Sequence, residues 1–192
     1  MKKILFTSAI IACTFVLHAQ HVELGIKGGL NVSNVDIPNT SNIDPRLSPF
    51  AGGLVHIHLS KEFAIQPEIV FSSQGFKTGN DEVYRLNYLN FPALAMYMFN
   101  SGFRLQTGPQ VGVLLSADYK KGSNTKVDIK NGYKDIDVSW VFGGGYIMPS
   151  GFGFDARFNL GLAKLNDNTS AKAANRVFQV GVFYQFKPLK HK

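Results

Sequence analysis

The sequence predicts an all-β fold, an eight-stranded antiparallel up-and-down transmembrane β-barrel. Three observations carry this expectation. Apolar and polar residues alternate along several long stretches, which in a strand sends them to opposite faces. Short and long connections alternate strictly between those stretches, as in a meander with all tight turns at one end. Charged residues make up only 17% of the chain, against about 25% in soluble domains. The polar positions are Gly, Gln, Asn and single charges rather than the Lys/Glu cover of a soluble sheet.

The chain opens MKKILFTSAIIACTFVLHAQ. Lys2 and Lys3 precede an apolar core from Ile4 to Leu17, and His18, Ala19 and Gln20 follow, the pattern of a secretory leader. Residues 1–20 are therefore expected to be a cleaved signal peptide, with cleavage after Ala19 or Gln20, and residues 21–192 the barrel domain. Ile10-Ile11-Ala12-Cys13 loosely fits a lipoprotein box, but the apolar Phe15, Val16 and Leu17 after the cysteine do not. Cleavage removes two of 20 basic residues and none of 13 acids, leaving 18 − 13 = +5. It also removes Cys13, the one cysteine, which excludes disulfides, thiolate metal sites and a cysteine nucleophile from the mature chain. Beyond the leader the longest apolar run is Ala93 to Phe99, far short of the roughly 20 residues of a membrane helix. Barrel strands need no such run.

Strands are expected near residues 22–33, 48–60, 63–76, 85–99, 103–118, 135–148, 152–164 and 176–187. All are rich in Val, Ile, Phe, Tyr and Gly. The first carries Glu23 and Lys27 on its polar face, and the second carries His56 and His58. The third sets Phe63, Ile65, Ile69 and Phe71 against Gln66, Glu68 and Ser72. The fourth contains Pro92 and sorts poorly into two faces. The fifth sets Phe103, Leu105, Val111, Val113 and Leu115 against Arg104, Gln106, Gly108, Gln110 and Gly112. The sixth holds Gly143-Gly144-Gly145, which is no phosphate loop because no helix follows; it relieves crowding or bends the wall. The seventh reads GFGFDARFNLGL, with Phe152, Phe154, Ala156, Phe158 and Leu160 opposite Asp155 and Arg157. The last places Phe178, Val180, Val182, Tyr184 and Phe186 opposite Gln179, Gly181, Gln185 and Lys187, with Phe183 on the polar side. Tight connections are Ser60-Lys61-Glu62, Asn100-Ser101-Gly102 and Pro149-Ser150-Gly151; longer ones fall near 34–47, 77–84, 119–134 and 165–175.

A soluble sandwich would turn the Phe faces inward. Here they carry aromatics near strand ends, at Phe63, Tyr97, Phe99, Phe103, Trp140, Tyr146, Phe152, Tyr184 and Phe186, like the girdles of membrane barrels. Closure satisfies every backbone hydrogen bond, as lipid requires. The Phe faces are read as lipid-facing.

Three motifs resemble a known family. They are Gly25-Ile26-Lys27-Gly28-Gly29-Leu30-Asn31, then Gln66-Pro67-Glu68 leading to Ser72-Ser73-Gln74-Gly75-Phe76, and Tyr88-Leu89-Asn90-Phe91-Pro92. Together they resemble the PorT-like, or "porin family", outer-membrane β-barrel proteins of Gram-negative bacteria, over essentially the whole mature chain. Gln179-x-Gly181-x-x-Tyr184-x-Phe186 looks like the signal that the barrel-assembly machinery reads on a final strand, although Lys187 to Lys192 follow it. The resemblance implies an integral eight-stranded outer-membrane barrel and no catalytic residues; both termini are expected in the periplasm because eight strands return the chain to its starting side and the tight turns belong there. Some members serve protein secretion, so it leaves a secretion partner open.

The inward set is Glu23, Lys27, His56, His58, Glu68, Arg104, Asp155, Arg157 and Lys187. Eight strands leave room only for side chains, so these charges are expected to pair and plug the lumen; a narrow transport channel is the alternative. His56-Ile57-His58 offers two imidazoles to a metal, but no third ligand lies near, and no metal or cofactor is expected. Small outer-membrane lipid A deacylases use a His and a Ser two residues apart on the lipid side. Here His58 and Ser60 point inward beside a tight turn at the inner end, and the chain is read as no enzyme. Lys120, Lys121, Lys126, Lys130 and Lys134 crowd the loop of 119–134, against Asp128 and Asp135. They suit an ordinary solvated loop, or attraction to lipopolysaccharide phosphates or an acidic partner. An exported chain without an aromatic and basic platform has no nucleic-acid partner. The expected role is structural, or loop-mediated binding at the cell surface by an extracellular partner that the sequence does not name.

Overall fold

The computed structural model describes residues 22–36, 43–79, 82–122, 126–162 and 174–186. Residues 1–21, which hold the expected signal peptide, residues 163–173 and Lys187 to Lys192 lie outside the described residues.

Eight long strands form the wall: β1 (Val22–Asp36), β2 (Ile43–His58), β3 (Phe63–Thr78), β4 (Glu82–Met98), β5 (Phe103–Lys121), then, after the two-residue β6 (Val127–Asp128), β7 (Ile136–Ile147), β8 (Phe152–Gly161) and β9 (Ala174–Gln185). Each pairs antiparallel with its neighbour in sequence, β5 pairs directly with β7, and β1 pairs with β9, which closes the ring. The short β6 only lies against Asp118 and Tyr119 of β5. No edge remains among the eight wall strands, so every ladder group can find a partner. Among the described residues no helix is long and apolar enough to cross a membrane.

Alternation decides the faces. Along β8, Phe152, Phe154, Ala156 and Phe158 lie exposed outside, and Gly153, Asp155, Arg157 and Asn159 lie buried inside. Along β3 the same rule exposes Phe63, Ile65, Ile69 and Phe71 and buries Ala64, Gln66, Glu68 and Val70. The fourth strand resists sorting by sequence because both of its faces are apolar. Leu86, Tyr88, Leu94 and Met96 fill the interior while Phe91 and Tyr97 point out.

Tight turns close one end. Ser60 Oγ accepts the backbone N–H of Glu62 and Phe63 at 3.1 and 3.0 Å, holding the β2–β3 turn. Gly102 and Gly151 supply positive φ, 90° and 92°, at the other two, which a side chain would resist. The opposite end departs from expectation. The connection expected over 77–84 is almost all strand, because β3 and β4 run on to Thr78 and from Glu82. Phe76 and Tyr84 stack at 4.5 Å and Thr78 Oγ1 donates to Glu82 Oε2 at 3.0 Å, so side-chain contacts carry the ladder past the lipid-facing band. Among the described residues β1 to β5 have 15 to 19 residues, and β7 to β9 have 10 to 12.

Candidate functional site

The interior is where chemistry-bearing side chains converge. Arg157 on β8 reaches across to β3, donating Nη1 to Glu68 Oε2 and Nη2 to Glu68 Oε1, both at 2.7 Å. Its Nη2 also lies 2.9 Å from Asp155 Oδ2 and from Gln106 Oε1 on β5. Lys27 on β1 stands 2.9 Å from Asp155 Oδ2 and 3.5 Å from Glu68 Oε2. Gln66 Nε2 donates to Glu68 Oε1 at 2.7 Å, and His56 Nδ1 meets Gln66 Oε1 at 3.0 Å. Two cations and two carboxylates sum to zero, and the fork-on-fork geometry is the strong form of such a pair. The side chains of all four are at most 4% exposed, so each charge depends on the others for solvation.

Glycine makes room for this plug. A Cβ on Gly143 would stand 2.9 Å from Arg157 Cγ, and one on Gly145 would stand 3.2 Å from Asp155 Cβ. The expectation that this glycine run relieves crowding is the arrangement found. Toward the tight-turn end, the Arg104 guanidinium lies 3.9 Å from the centre of the Phe183 ring, a cation–π contact in a desolvated place. His56 and His58 meet edge to face at 4.6 Å, and Glu23 sits opposite His56 in the β1–β2 register. Among the described residues no group of three or more His, Cys, Asp or Glu could hold a metal ion.

Toward the long-loop end the interior turns from paired charges to mostly uncharged polar groups and then to apolar ones. Asn31 donates to Ser72 Oγ at 3.0 Å and accepts from Gln179 at 2.8 Å. Gln110 binds Ser139 at 3.0 Å, and Asn175 binds Asp137 at 3.1 Å. Above these, Leu86, Tyr88, Leu114 and Ala117 form a buried cluster, with Ile129 and Tyr133 packed on it. Ile129 N donates to Ala117 O at 2.9 Å. The segment after β5 thus folds back over the mouth. Sequence reading missed this cap, since Ile129 and Tyr133 sit in a stretch without periodicity. Gln66 and Gln106 had a signal, their shared face with Glu68 and Arg104, but not one that named them as bridges.

The basic segment is largely paired. Lys121 meets Glu82 Oε1 at 2.9 Å, Lys126 meets Asp118 Oδ2 at 2.8 Å, and Lys130 meets Asp135 Oδ1 at 3.7 Å. Ser60 Oγ donates to Glu62 Oε2 at 3.3 Å besides holding its turn.

Residues 18–167 match the family model described as "Outer membrane protein beta-barrel domain". The chain belongs to that family. It is an integral protein of the outer membrane, and the exposed apolar face is its lipid surface. No curated protein matches the chain. Among solved structures it is similar to Ail, the attachment invasion locus protein of Yersinia pestis, at 15% identity and a TM-score of 0.55, over 85% of this chain and 98% of that one. It is also similar to Neisserial surface protein A, at 10% identity and a TM-score of 0.57, over 88% and 100% of the two chains. A further structure holds Ail with the heparin analogue sucrose octasulfate, at 15% identity and a TM-score of 0.52, over 86% and 99%.

An outer-membrane barrel needs interfacial aromatics, and this one has them in contact. At the tight-turn end Phe63, Tyr97, Phe99 and Phe103 follow one another at ring distances of 5.1, 4.9 and 5.7 Å. Tyr184 and Phe186 meet at 5.4 Å. These two form the outward part of the final-strand motif, whereas Gln179 and Gly181 face the lumen. Trp140, also outward, donates Nε1–H to Thr107 Oγ1 at 2.8 Å, and Thr107 Oγ1 donates in turn to Val141 O at 3.0 Å. No polar group of that pair is left bare to lipid.

Proposed function

We propose that this protein is a non-conducting, non-enzymatic barrel that acts through its long-loop rim at the cell surface. The observation that supports this reading is the filled interior. A neutral network of Lys27, Glu68, Asp155 and Arg157 crosses the lumen, and Ile129 and Tyr133 cover one mouth. Residues 1–20 direct export, and the barrel-assembly machinery reads Gln179 to Phe186. Membership of the PorT-like branch rests on the three motifs named above. The partner suiting the rim is an anionic surface molecule, on the ground of the mature chain's +5, although Lys126 and Lys130 of its lysines are already paired with Asp118 and Asp135. Ail has been solved with a sulfated heparin analogue. Full-length protein in planar bilayers is expected to show no unitary current steps; reproducible steps would favour the channel and overturn the reading.

Orientation follows from the turns. Val22 and Phe186 lie at the same end as the three tight turns, and in bacterial barrels short turns face the periplasm. Trypsin added to intact cells is expected to cut between Lys120 and Lys134 and to spare Lys61. Cleavage at Lys61 alone would mean the opposite orientation.

A further inference from the structure

Among the described residues, the buried polar atoms without a hydrogen-bond partner sort by height in the lumen. Toward the long-loop end they are of mixed character: the Tyr88 hydroxyl, Asn90 Nδ2, Asp137 Oδ1 and both amide atoms of Asn159. From the ionic network down to the tight-turn end they are all donors. These are Arg157 Nε, Gln106 Nε2, Arg104 Nε and Gln185 Nε2. Gln106 spends its carbonyl on Arg157 Nη2, so only its N–H groups remain. That half of the lumen lacks an acceptor.

Charge points the same way. Arg104 is 3% exposed, and its guanidinium lies 3.9 Å from the centre of the Phe183 ring. None of the ion pairs among the described residues includes it. An arginine does not shed its proton, so a buried guanidinium calls for a negative neighbour. The carboxylates of this half are committed. Asp155, in Arg104's own row across Gly145, gives Oδ2 to Lys27 and to Arg157, both at 2.9 Å. Glu68 gives both oxygens to Arg157. Glu23 is half-buried at the mouth, sits opposite His56 in the register and enters none of these pairs. The network of Lys27, Glu68, Asp155 and Arg157 is neutral by itself, which leaves Arg104 as a charge in excess. Glycines give it its place: Gly145 faces it on β7, and a Cβ on Gly153 of β8 would strike the Phe183 ring. Arg104 and Phe183 thus meet across two strands that carry no side chain at that height.

We propose that Arg104, with the amide groups of Gln106 and Gln185, forms a site for one small monovalent anion of halide size in the tight-turn half of the lumen. Gln106 is the next inward residue to Arg104 on β5, and Gln185 the next to Phe183 on β9, each roughly 7 Å along its strand. Their free N–H groups therefore bracket the guanidinium from above and below. One negative charge cancels the excess of one. Phe183 and Gln185 are each 2% exposed, a close cover that suits a monatomic ion better than a phosphate. The site stands whether or not the rim binds a partner.

The test uses full-length protein folded in detergent. Urea unfolding is followed in sodium chloride and in sodium gluconate at equal ionic strength, gluconate being too bulky for the site. Chloride is expected to lower the unfolded-to-folded ratio roughly tenfold once it reaches ten times its dissociation constant, and bromide to act alike. Arg104→Gln is expected to unfold identically in the two salts, while Lys121→Gln, at an exposed pair, keeps the wild-type difference. Crystals grown in bromide are expected to give an anomalous peak against Arg104 beside Phe183. Equal wild-type curves in chloride and gluconate would overturn the proposal, because screening alone treats the two salts alike. A chloride effect that survives in Arg104→Gln, or an anomalous map without a peak at Arg104, would also overturn it. Heat-modifiable migration on gels reports whether Arg104→Gln folds. Should it not, Gln185→Leu is expected to raise the chloride concentration for half the effect severalfold, and an unchanged requirement would sink the site.

Discussion

Arg157→Leu is expected to cost about 3–5 kcal/mol of stability, the range for breaking a buried ion pair by removing one partner. Arg157 makes both fork contacts to Glu68 at 2.7 Å and a third ion pair to Asp155 at 2.9 Å. Without it Lys27 alone faces two carboxylates, and the buried cluster carries a net negative charge in a place where water does not replace the guanidinium. Urea unfolding of the purified barrel in detergent or lipid measures the loss. The double variant Arg157→Leu/Glu68→Gln restores neutrality, with Lys27 against Asp155, and is expected to recover at least about half of it. A single variant within about 1 kcal/mol of wild type would show that the lumen is wet enough to solvate Glu68. The conductance expectation would then fall with the stability one, since both rest on a dry plug.

Phe158→Arg is expected to destabilise by about 2–4 kcal/mol, from the opposite face of the same strand. Phe158 is an outward residue, 39% exposed, lying in the register between Phe142 on β7 and Phe178 on β9. Arginine there places its charge in hydrocarbon, with no carboxylate on the outward face of these neighbours. Phe158→Leu, which keeps the apolar contact, is expected to stay within about 1 kcal/mol. The pair separates lipid from water as the outer solvent. If Phe158→Arg left stability unchanged, or rendered the barrel soluble without detergent, the outward face would not be a lipid face at that height.

The two variants sit one residue apart, and their expected effects have different origins. That division was legible in GFGFDARFNLGL, because a strand's side chains alternate with a period of two and need only local sequence to declare their faces. The same locality placed the other strands to within a few residues. It failed at β4, where Leu86, Leu94 and Met96 fill the lumen as apolar residues do outside, so polarity no longer marked direction. It failed again at residues 77–84, where the ladder is prolonged by Phe76 stacking on Tyr84 and by Tyr84 lying 5.0 Å from Tyr119 across β4 and β5. Those are contacts between strands, and no single segment records them.

The sequence by itself determined the membrane, the number of strands and the need for inward charges to pair. It left open which carboxylate Arg157 would meet. Only the tertiary structure decided that Arg157 takes both Glu68 and Asp155, that Lys27 closes the set across 128 residues of chain, and that Ile129 and Tyr133 cover the mouth. The physical reason is the stagger of the barrel. Alternation fixes which way each side chain points, but the shear between strands fixes the height at which it arrives. Which inward groups meet across the lumen is therefore a property of the closed ring and not of any one strand.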